Sequence, residues 1–184
     1  MDTKQVTRLD QFSNREYQPG SIFRRAAWYV CSLVFFEHGL FPFYGMKRGL
    51  LRLFGATVGH GVLVKPSVKI KYPWFLTIGQ HCWIGERVWI DNVAPVDIGN
   101  HVCISQGAML VTGNHDYSSP VFTLTAKPVR IEDGVWIGAM SVVCPGVVCH
   151  SHAVLGVGAV ATKSLDAYSV YMGNPAVISR ERPL

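Results

Sequence analysis

The sequence predicts an all-β fold, a parallel β-helix of about five coils with an N-terminal helical cap and one ejected loop. An aliphatic or small residue recurs with a six-residue period between Val58 and Ala161, and glycine often follows it. Small or β-branched residues recur with the same period four positions later, as at Val62 and Ala94. The largest interruption of this pattern is at residues 114–130.

The six-residue period determines the architecture. Such a unit is too short for a helical repeat, but it accommodates one short strand and a turn. Glycine after the aliphatic residue permits a positive φ or a close backbone approach at that turn. Units of this length form triangular coils of about 18 residues, stacked at the strand spacing of about 4.8 Å. We therefore expect both periodic positions to point into a long, narrow core within residues 58–166, followed by a C-terminal tail at 167–184.

Residues 1–57 form an N-terminal arm and helical cap. The uncharged run 26–36 and the amphipathic segment 46–54 predict two helices after a polar stretch at 1–21. Because solenoid ends must be covered, these helices are expected to cap the first coil. Five basic residues lie beside their aromatic side chains, so residues 22–54 are also candidates for contact with an anionic membrane surface. The run 26–36 is too short to span a bilayer, which takes about 20 residues.

Composition limits the function classes. The formal net charge is +5 and the pI is near 9.0, which suits an anionic ligand as well as a solvated basic surface. Nucleic acid is not an expected partner, because the basic residues are scattered and the repeat provides no reading helix. The five cysteines form no CxxC pair and predict buried thiols in a reducing compartment. We therefore expect a cytoplasmic protein, at the inner face of the membrane if the helices bind lipid.

Three segments beyond the repeat resemble a known family. They are ISQGAMLVTGNHDYSSPVF at 104–122, KPVRIEDGVWIGAMSVVCPGV at 127–147 and GNPA at 173–176. Together with the repeat they resemble the left-handed β-helix acyltransferases, most of all the colanic-acid-type exopolysaccharide O-acetyltransferases, which are related to the maltose, galactoside and nodulation acetyltransferases. The resemblance covers residues 44–178. It implies a left-handed coil, acetyl-CoA as the donor substrate, a saccharide acceptor in exopolysaccharide or cell-surface glycan synthesis, and a homotrimer with each active site between two subunits.

The resemblance implies that His115, at the start of the ejected loop, is the catalytic base. A neutral imidazole, with an ordinary pKa of about 6.5, can take the proton of a sugar hydroxyl as it attacks the thioester. Direct transfer then needs no acyl-enzyme. Asp116 is a second catalytic candidate that orients the His115 ring, binds a substrate hydroxyl or caps a turn. The other histidines lack a motif: His81 and His101 are expected to stack on an outer turn, and the HxH at 150–152 has no third ligand, so no metal is expected.

The resemblance also implies the two substrate sites. The acceptor pocket is lined from the neighbouring coil, where this chain has Arg87, Asp91 and Asn92. In the loop, Tyr117 is expected either to stack on a sugar ring or to act as an aromatic staple of the loop. The maltose and galactoside enzymes have asparagine near the position of Arg87, and this departure favours a different or anionic saccharide. The donor groove takes backbone or phosphate-binding groups from later coils: Gly138, Ala139, Val157, Gly158, Thr162, Lys163 and Arg180. Arg180 is expected to replace an arginine that the family often has after GNPA, where this chain has Val177.

Two other functions share the solenoid. A γ-carbonic-anhydrase-like metalloenzyme would hold zinc with three histidines, and this chain has none between His115 and His150. A non-catalytic structural solenoid would not need the GNHD loop at 113–116. A metal assay and an acyl-CoA binding assay distinguish these alternatives from an acetyltransferase.

Overall fold

The structure, a computed structural model that describes residues 6–39 and 43–184, is a three-sided parallel β-helix preceded by two helices. Each coil adds one short strand to each of three sheets, which we call the first, second and third faces. The turns between them form the first–second, second–third and third–first edges. Five complete coils and part of a sixth confirm the prediction of a parallel solenoid of about five coils with a helical N-terminal part.

The three faces contain the following strands. The first face contains β1 (Thr57–Val58), β4 (Leu76–Ile78), β7 (Val96–Ile98), β12 (Val129–Ile131) and β15 (Val148–Cys149). The second face contains β2 (Leu63–Val64), β5 (Trp83–Ile84), β8 (Cys103–Ile104), β13 (Trp136–Ile137), β16 (Val154–Leu155), β18 (Ser169–Met172) and β19 (Val177–Glu181). The third face contains β3 (Lys69–Ile70), β6 (Trp89–Asp91), β9 (Met109–Val111), β14 (Val142–Val143) and β17 (Val160–Ala161).

Both periodic positions point inward, with one exception. Every residue of the first position, from Val58 to Ala161, is buried. In the second position only Ala94 is partly exposed, because the two residues inserted before Ile98 shift the phase there. Asn92 is fully buried instead. Its side-chain amide accepts a hydrogen bond from the Tyr72 backbone N–H (3.0 Å) and donates to the Tyr72 carbonyl (2.7 Å), which satisfies one turn of the preceding coil.

The helix α2 (Tyr44–Leu53) closes the open end of the first coil with its basic side chains. Backbone N–H groups of each coil donate to carbonyls of the next, so the first coil's carbonyls have no coil before them. Three cations of α2 supply the missing donors: Lys47 to the Lys65 carbonyl (3.0 Å), Arg48 to Val62 (2.8 Å) and Arg52 to Val58 (2.6 Å). The predicted polar side of this helix is therefore turned toward the coil.

The helix α1 (Ile22–Phe35) completes the cap over the third face. Its Trp28 is buried against Phe36 and Phe54, and the indole N–H donates to the Ile70 carbonyl at 2.8 Å. The Ser21 side chain caps the start of the helix by accepting from the Arg24 N–H. In residues 6–39 and 43–184, no helix is long and apolar enough to cross a membrane.

Residues 167–184, predicted as a tail, continue the second face. The strand β18 pairs in parallel with β16, and β19 folds back antiparallel onto β18. This hairpin covers the last coil as the helices cover the first. β19 is the outer strand of this sheet and is exposed along its whole length.

Candidate active site

The ejected segment is a β-hairpin at the third–first edge. The chain leaves the coil after β9, forms β10 (Gly113–His115) and β11 (Leu124–Ala126), and rejoins the first face at β12. The two strands pair antiparallel, with His115 opposite Leu124. Gly113 begins the departure, and a Cβ there would lie 2.9 Å from the Val93 side chain, so the hairpin starts tightly against the preceding coil.

The His115 imidazole is held by the other end of its own hairpin. Its Nδ1 lies 2.8 Å from the Phe122 carbonyl oxygen, and its ring stacks on the Phe122 ring with centroids 4.4 Å apart. A carbonyl oxygen can only accept, so in the neutral imidazole Nδ1 carries the proton and Nε2 keeps its lone pair. The backbone at Phe122 has a φ of 53°, a left-handed conformation that is strained for this residue type. The geometry thus presents Nε2 as a proton acceptor.

Asp116 caps the turn that follows. Its carboxylate accepts hydrogen bonds from the Ser118 hydroxyl and the Ser118 backbone N–H, and these bonds lower the pKa of the carboxyl group. The predicted orienting role belongs to the Phe122 carbonyl instead, since that oxygen occupies the Nδ1 side of the ring. Of the alternatives for Asp116, the structure therefore shows turn capping. Tyr117, at the exposed tip of the hairpin, is 88% exposed and free to meet a ligand.

The candidate residues divide between the two edges of the third face. Asp91, the hairpin with His115, and the pair Thr162–Lys163 follow third-face strands of the second, third and fifth coils, so they lie in a row along the third–first edge. Since coils stack at about 4.8 Å, about 10 Å separates the hairpin level from that of Thr162. Along the axis of the solenoid, the acceptor candidate Asp91 therefore lies one coil before His115, and the donor candidates Thr162 and Lys163 lie two coils after it.

The second–third edge carries the other candidates. Arg87 lies there in the second coil, and the pairs 138–139 and 157–158 follow in later coils. Arg87 therefore lies at the opposite edge of the third face from the hairpin of the same chain, and it does not line the groove that contains Asp91.

Two acceptor candidates have different surroundings. Asp91 forms an ion pair with Lys71 at 2.9 Å and lines a groove of about 430 Å³ between α1 and the third face, together with Arg25, Tyr72 and Trp89. Asn92 points away from any ligand, because it is fully buried and its amide is bound to the Tyr72 backbone. The prediction that Asn92 binds substrate is therefore corrected to a structural role.

The donor candidates also differ in what surrounds them. Gly138 is buried, and a Cβ there would lie 2.6 Å from the Leu155 carbonyl oxygen, so this glycine permits the stacking of coils rather than widening a groove. Gly158 has a φ of 66° and open space where a Cβ would be. Ala139 is half-buried between these levels, and Val157, Thr162, Lys163 and Arg180 are exposed. Arg180 lies on β19 of the second face, away from the edge that carries Thr162 and Lys163.

Five of the six remaining histidines lie on the first–second edge, and His38 follows α1. His81 and His101 stack as predicted, with centroids 5.3 Å apart. His150 and His152 lie on this same edge rather than on another turn, and His152 stacks on Tyr168 at 4.8 Å. Across the described part of the chain, no three histidine, cysteine, aspartate or glutamate side chains are grouped to hold a metal ion. The five cysteines are free thiols, and burial raises the pKa of Cys149 to about 12.

Sequence reasoning missed two residues that contact His115. Phe122 supplies the carbonyl for Nδ1, and Phe12 of the N-terminal arm places its ring centroid 5.6 Å from that of His115. The position of Phe122 inside the ejected segment was a usable signal, because a hairpin brings its two ends together. No sequence signal connects Phe12 to residue 115, since the contact bridges distant parts of the chain.

The chain is similar to curated acetyltransferases over most of its length. WcaF of Escherichia coli K12, which carries the name of a colanic acid biosynthesis acetyltransferase, is 39% identical over 166 residues, covering 90% of this chain and 91% of that protein. The galactoside O-acetyltransferase of the same strain is 30% identical over 138 residues, covering 73% and 68%. A hexapeptide-repeat acetyltransferase of Vibrio cholerae O1 biovar eltor, solved in complex with acetyl coenzyme A, shares the fold with a TM-score of 0.82 at 24% identity, covering 95% and 97%. No family model matches the chain.

Proposed function

The chain belongs to the hexapeptide-repeat acetyltransferases, and from this premise we propose that it moves an acetyl group from acetyl-CoA to a saccharide hydroxyl in the synthesis of an exopolysaccharide or cell-surface glycan. The observation that carries the proposal is the bond between His115 Nδ1 and the Phe122 carbonyl. This bond leaves Nε2 available to accept a proton at the third–first edge, between the levels of Asp91 and Thr162. The role in glycan synthesis is supported by the name of the WcaF relative.

The proposed reaction is a direct transfer. His115 Nε2 takes the proton of the acceptor hydroxyl while the hydroxyl oxygen forms a bond to the acetyl carbon. The bond from that carbon to sulfur breaks, and the thiolate of CoA receives the proton back from the imidazolium. The Phe122 carbonyl supports both steps, since it accepts from Nδ1 in the neutral and in the protonated ring. General-base catalysis of this kind supplies about 10²–10⁴-fold.

We propose that the acceptor enters the groove beside Asp91. Aromatic surfaces of Tyr72 and Trp89 suit the flat side of a sugar ring, and the Asp91 carboxylate can accept from sugar hydroxyls. Arg25 adds a cation to this groove, which suits an anionic saccharide. Tyr117 can stack on the acceptor from the tip of the hairpin. Arg87 serves this pocket from a neighbouring subunit, because in its own chain it lies at the opposite edge of the third face and does not line the groove.

The donor site is proposed to lie between two subunits. Thr162 and Lys163 on one subunit's third–first edge meet the CoA phosphates, where an ammonium can pair with them. Ala139, Val157 and Gly158 on the second–third edge of the next subunit provide the other wall, with open space at Gly158. Arg180 is proposed to reach the same nucleotide from the second face. The pantetheine arm then runs along the stacked coils toward His115.

A homotrimer that packs the first face of one subunit against the second face of the next produces this arrangement. The outward row of the second face is apolar, running through Leu63, Trp83, Cys103 and Trp136, and it contains a depression of about 480 Å³. The third face is overhung by α1 and is therefore left outside. Such heterologous packing closes as a ring of three and sets each third–first edge beside a neighbour's second–third edge.

The test of the proposed activity is acetyl transfer itself. Purified protein with acetyl-CoA is expected to acetylate a saccharide acceptor, with release of free CoA thiol and a mass increase of one acetyl group on the acceptor. Lipid-linked oligosaccharides and free sugars serve as parallel acceptor sets. If acetyl-CoA binds but no saccharide hydroxyl in either set is acetylated, the acceptor class proposed here is wrong.

We also propose that the outward side of α1 contacts a membrane surface. Its exposed residues are apolar apart from Arg24, with Phe23 at 84%, Tyr29 at 64% and Val30 at 60% exposure. Four of the five basic residues predicted to assist are engaged elsewhere: those of α2 cap the first coil, and Arg24 donates to the Phe54 carbonyl. The fifth, Arg25, lines the groove beside Asp91. The interaction is therefore expected to depend on apolar burial more than on charge.

Co-sedimentation with anionic liposomes tests this contact. The wild-type protein is expected to sediment and to remain bound when salt is raised, whereas the double change Phe23→Asp and Val30→Asp should release it. Point changes are preferred to deletion of residues 1–40, because Trp28 of α1 is part of the cap. Val177→Asp, on the exposed β19, is the matched control. Absence of wild-type sedimentation at low salt leaves α1 as a cap only.

A further inference from the structure

The N-terminal arm is anchored on the hairpin that carries His115. Between Arg8 and Gly20 the arm is largely exposed, but the side chains of Phe12 and Tyr17 are partly covered. It contains one short 3₁₀ turn, Leu9–Gln11, and a second turn closed by the Tyr17 N–H and the Asn14 carbonyl at 3.0 Å. Since exposed polar arms gain little from burial, contacts at these points need an explanation.

Three contacts fix the arm. The Arg8 N–H donates to the Pro120 carbonyl on the hairpin at 2.7 Å. The Phe12 ring lies against the His115 ring at 5.6 Å with an interplanar angle of 57°. The Tyr17 hydroxyl donates to the Val93 carbonyl on the coil at 2.9 Å. The arm therefore bridges the hairpin and the solenoid, with Phe12 in the middle of the bridge.

The hydrogen bond from the Tyr17 hydroxyl to the Val93 carbonyl is protected against ionisation of the hydroxyl. Burial raises the pKa of Tyr17 far above its ordinary value, and the nearby Tyr72 and Asp91 raise it further. The hydroxyl thus keeps its proton, which it needs in order to donate to Val93. This places the arm beside Asp91 at one end and beside His115 at the other.

The hairpin needs such support. A two-stranded hairpin is at best marginally stable by itself, and residues 116–118 at its tip are exposed. The Phe122 carbonyl fixes the tautomer of His115, and the Phe122 ring stacks on the imidazole. Both contacts come from the hairpin itself, so neither holds the imidazole relative to the coil. The Phe12 ring adds a contact from outside the hairpin, and packing against it leaves the imidazole fewer accessible rotamers.

We propose that residues 8–17 form a strap over the catalytic hairpin and that Phe12 is a positioning residue for His115. This rests on the proposed role of His115 as the base. Phe12 touches neither substrate in the proposed reaction; it limits the directions in which Nε2 can point. The strap thereby sets how often the base faces the acceptor hydroxyl, and it links the hairpin to the coil that carries Asp91.

The test is a set of variants measured for steady-state acetyl transfer. Phe12→Ala is expected to lower kcat by about tenfold to 10²-fold, the range that a small misplacement of a catalytic group costs. The KM for acetyl-CoA should stay near the wild-type value, because the donor candidates lie on later coils. Phe12→Tyr, which keeps the ring, should restore most of kcat. Leu9→Ala, at an exposed position of the same arm, is the matched control and should have no effect.

A double-mutant comparison separates positioning from folding. If Phe12 acts through the imidazole, Phe12→Ala should cause no further loss of turnover in a His115→Ala background. An equal loss in both backgrounds would show a general structural effect and overturn the proposal. If His115→Ala alone keeps normal turnover, the proposed base is wrong, whereas loss with His115→Ala but none with Phe12→Ala refutes the strap alone.

The tautomer of His115 provides a readout that does not depend on turnover. Nitrogen NMR of the imidazole should show one neutral form with the proton on Nδ1 in the wild type and sharp ring signals. With Phe12→Ala the ring signals should broaden or report a second environment. Unchanged ring signals in that variant would contradict a positioning role even if the rate falls.

Discussion

Replacement of His115 with alanine is expected to lower acetyl transfer by at least about 10²-fold, the low end of what general-base catalysis supplies. The imidazole is the only group of the hairpin placed to take a proton through a nitrogen lone pair, since its Nδ1 is engaged by Phe122. Affinity for acetyl-CoA should barely change, because the proposed donor groove is built from later coils. The melting temperature should also stay at the wild-type value, because His115 lies outside the coil and contributes little to core packing.

The measurement is CoA release with a competent saccharide acceptor, alongside acetyl-CoA binding and thermal melting of the same variant. His38→Ala is the matched control, since His38 is also an exposed histidine but follows α1, away from the proposed subunit interface and the hairpin. That variant should keep wild-type turnover. Near-normal turnover of His115→Ala would refute the base and with it the direct-transfer mechanism proposed here.

Replacement of Trp83 with aspartate is expected to dissociate the trimer and reduce activity to background. Trp83 is 61% exposed in the single chain and lies at the centre of the apolar row of the second face. A carboxylate buried there against a neighbouring subunit would lose its hydration without a partner. Because the proposed donor groove has walls from two subunits, activity should fall together with the trimer fraction.

Light scattering at micromolar concentration measures the oligomeric state, with turnover measured on the same samples. Trp89→Asp is the matched control: Trp89 is 42% exposed on the third face, which this packing leaves outside, so the variant should remain trimeric. Dissociation by Trp89→Asp but not by Trp83→Asp would place the interface on the third face instead. A fully active wild-type monomer would refute a site shared between subunits.

The sequence by itself determined the solenoid. Whether a side chain points inward depends on its position within a six-residue unit, which is a local property of the chain. The six-residue period that includes Val58, Val64 and Ile70 therefore predicts the inward positions directly. The break after Leu110 likewise located the ejected segment, because residues out of phase cannot continue the coil. The motif around His115 identified the candidate base through its resemblance to a family.

Only the tertiary structure decided which groups satisfy one another. Asn92 reads as a ligand-binding residue in sequence, but a two-residue insertion turns it into the core, where it binds Tyr72. In sequence, Lys47 lies on the polar side of an amphipathic helix. In the structure its ammonium is buried and donates to the Lys65 carbonyl, because no earlier coil supplies a donor to that carbonyl. Phe12 meets His115 because the arm folds back across the hairpin. Such partners are set by the stacking of coils and the path of the arm, and no local pattern encodes either.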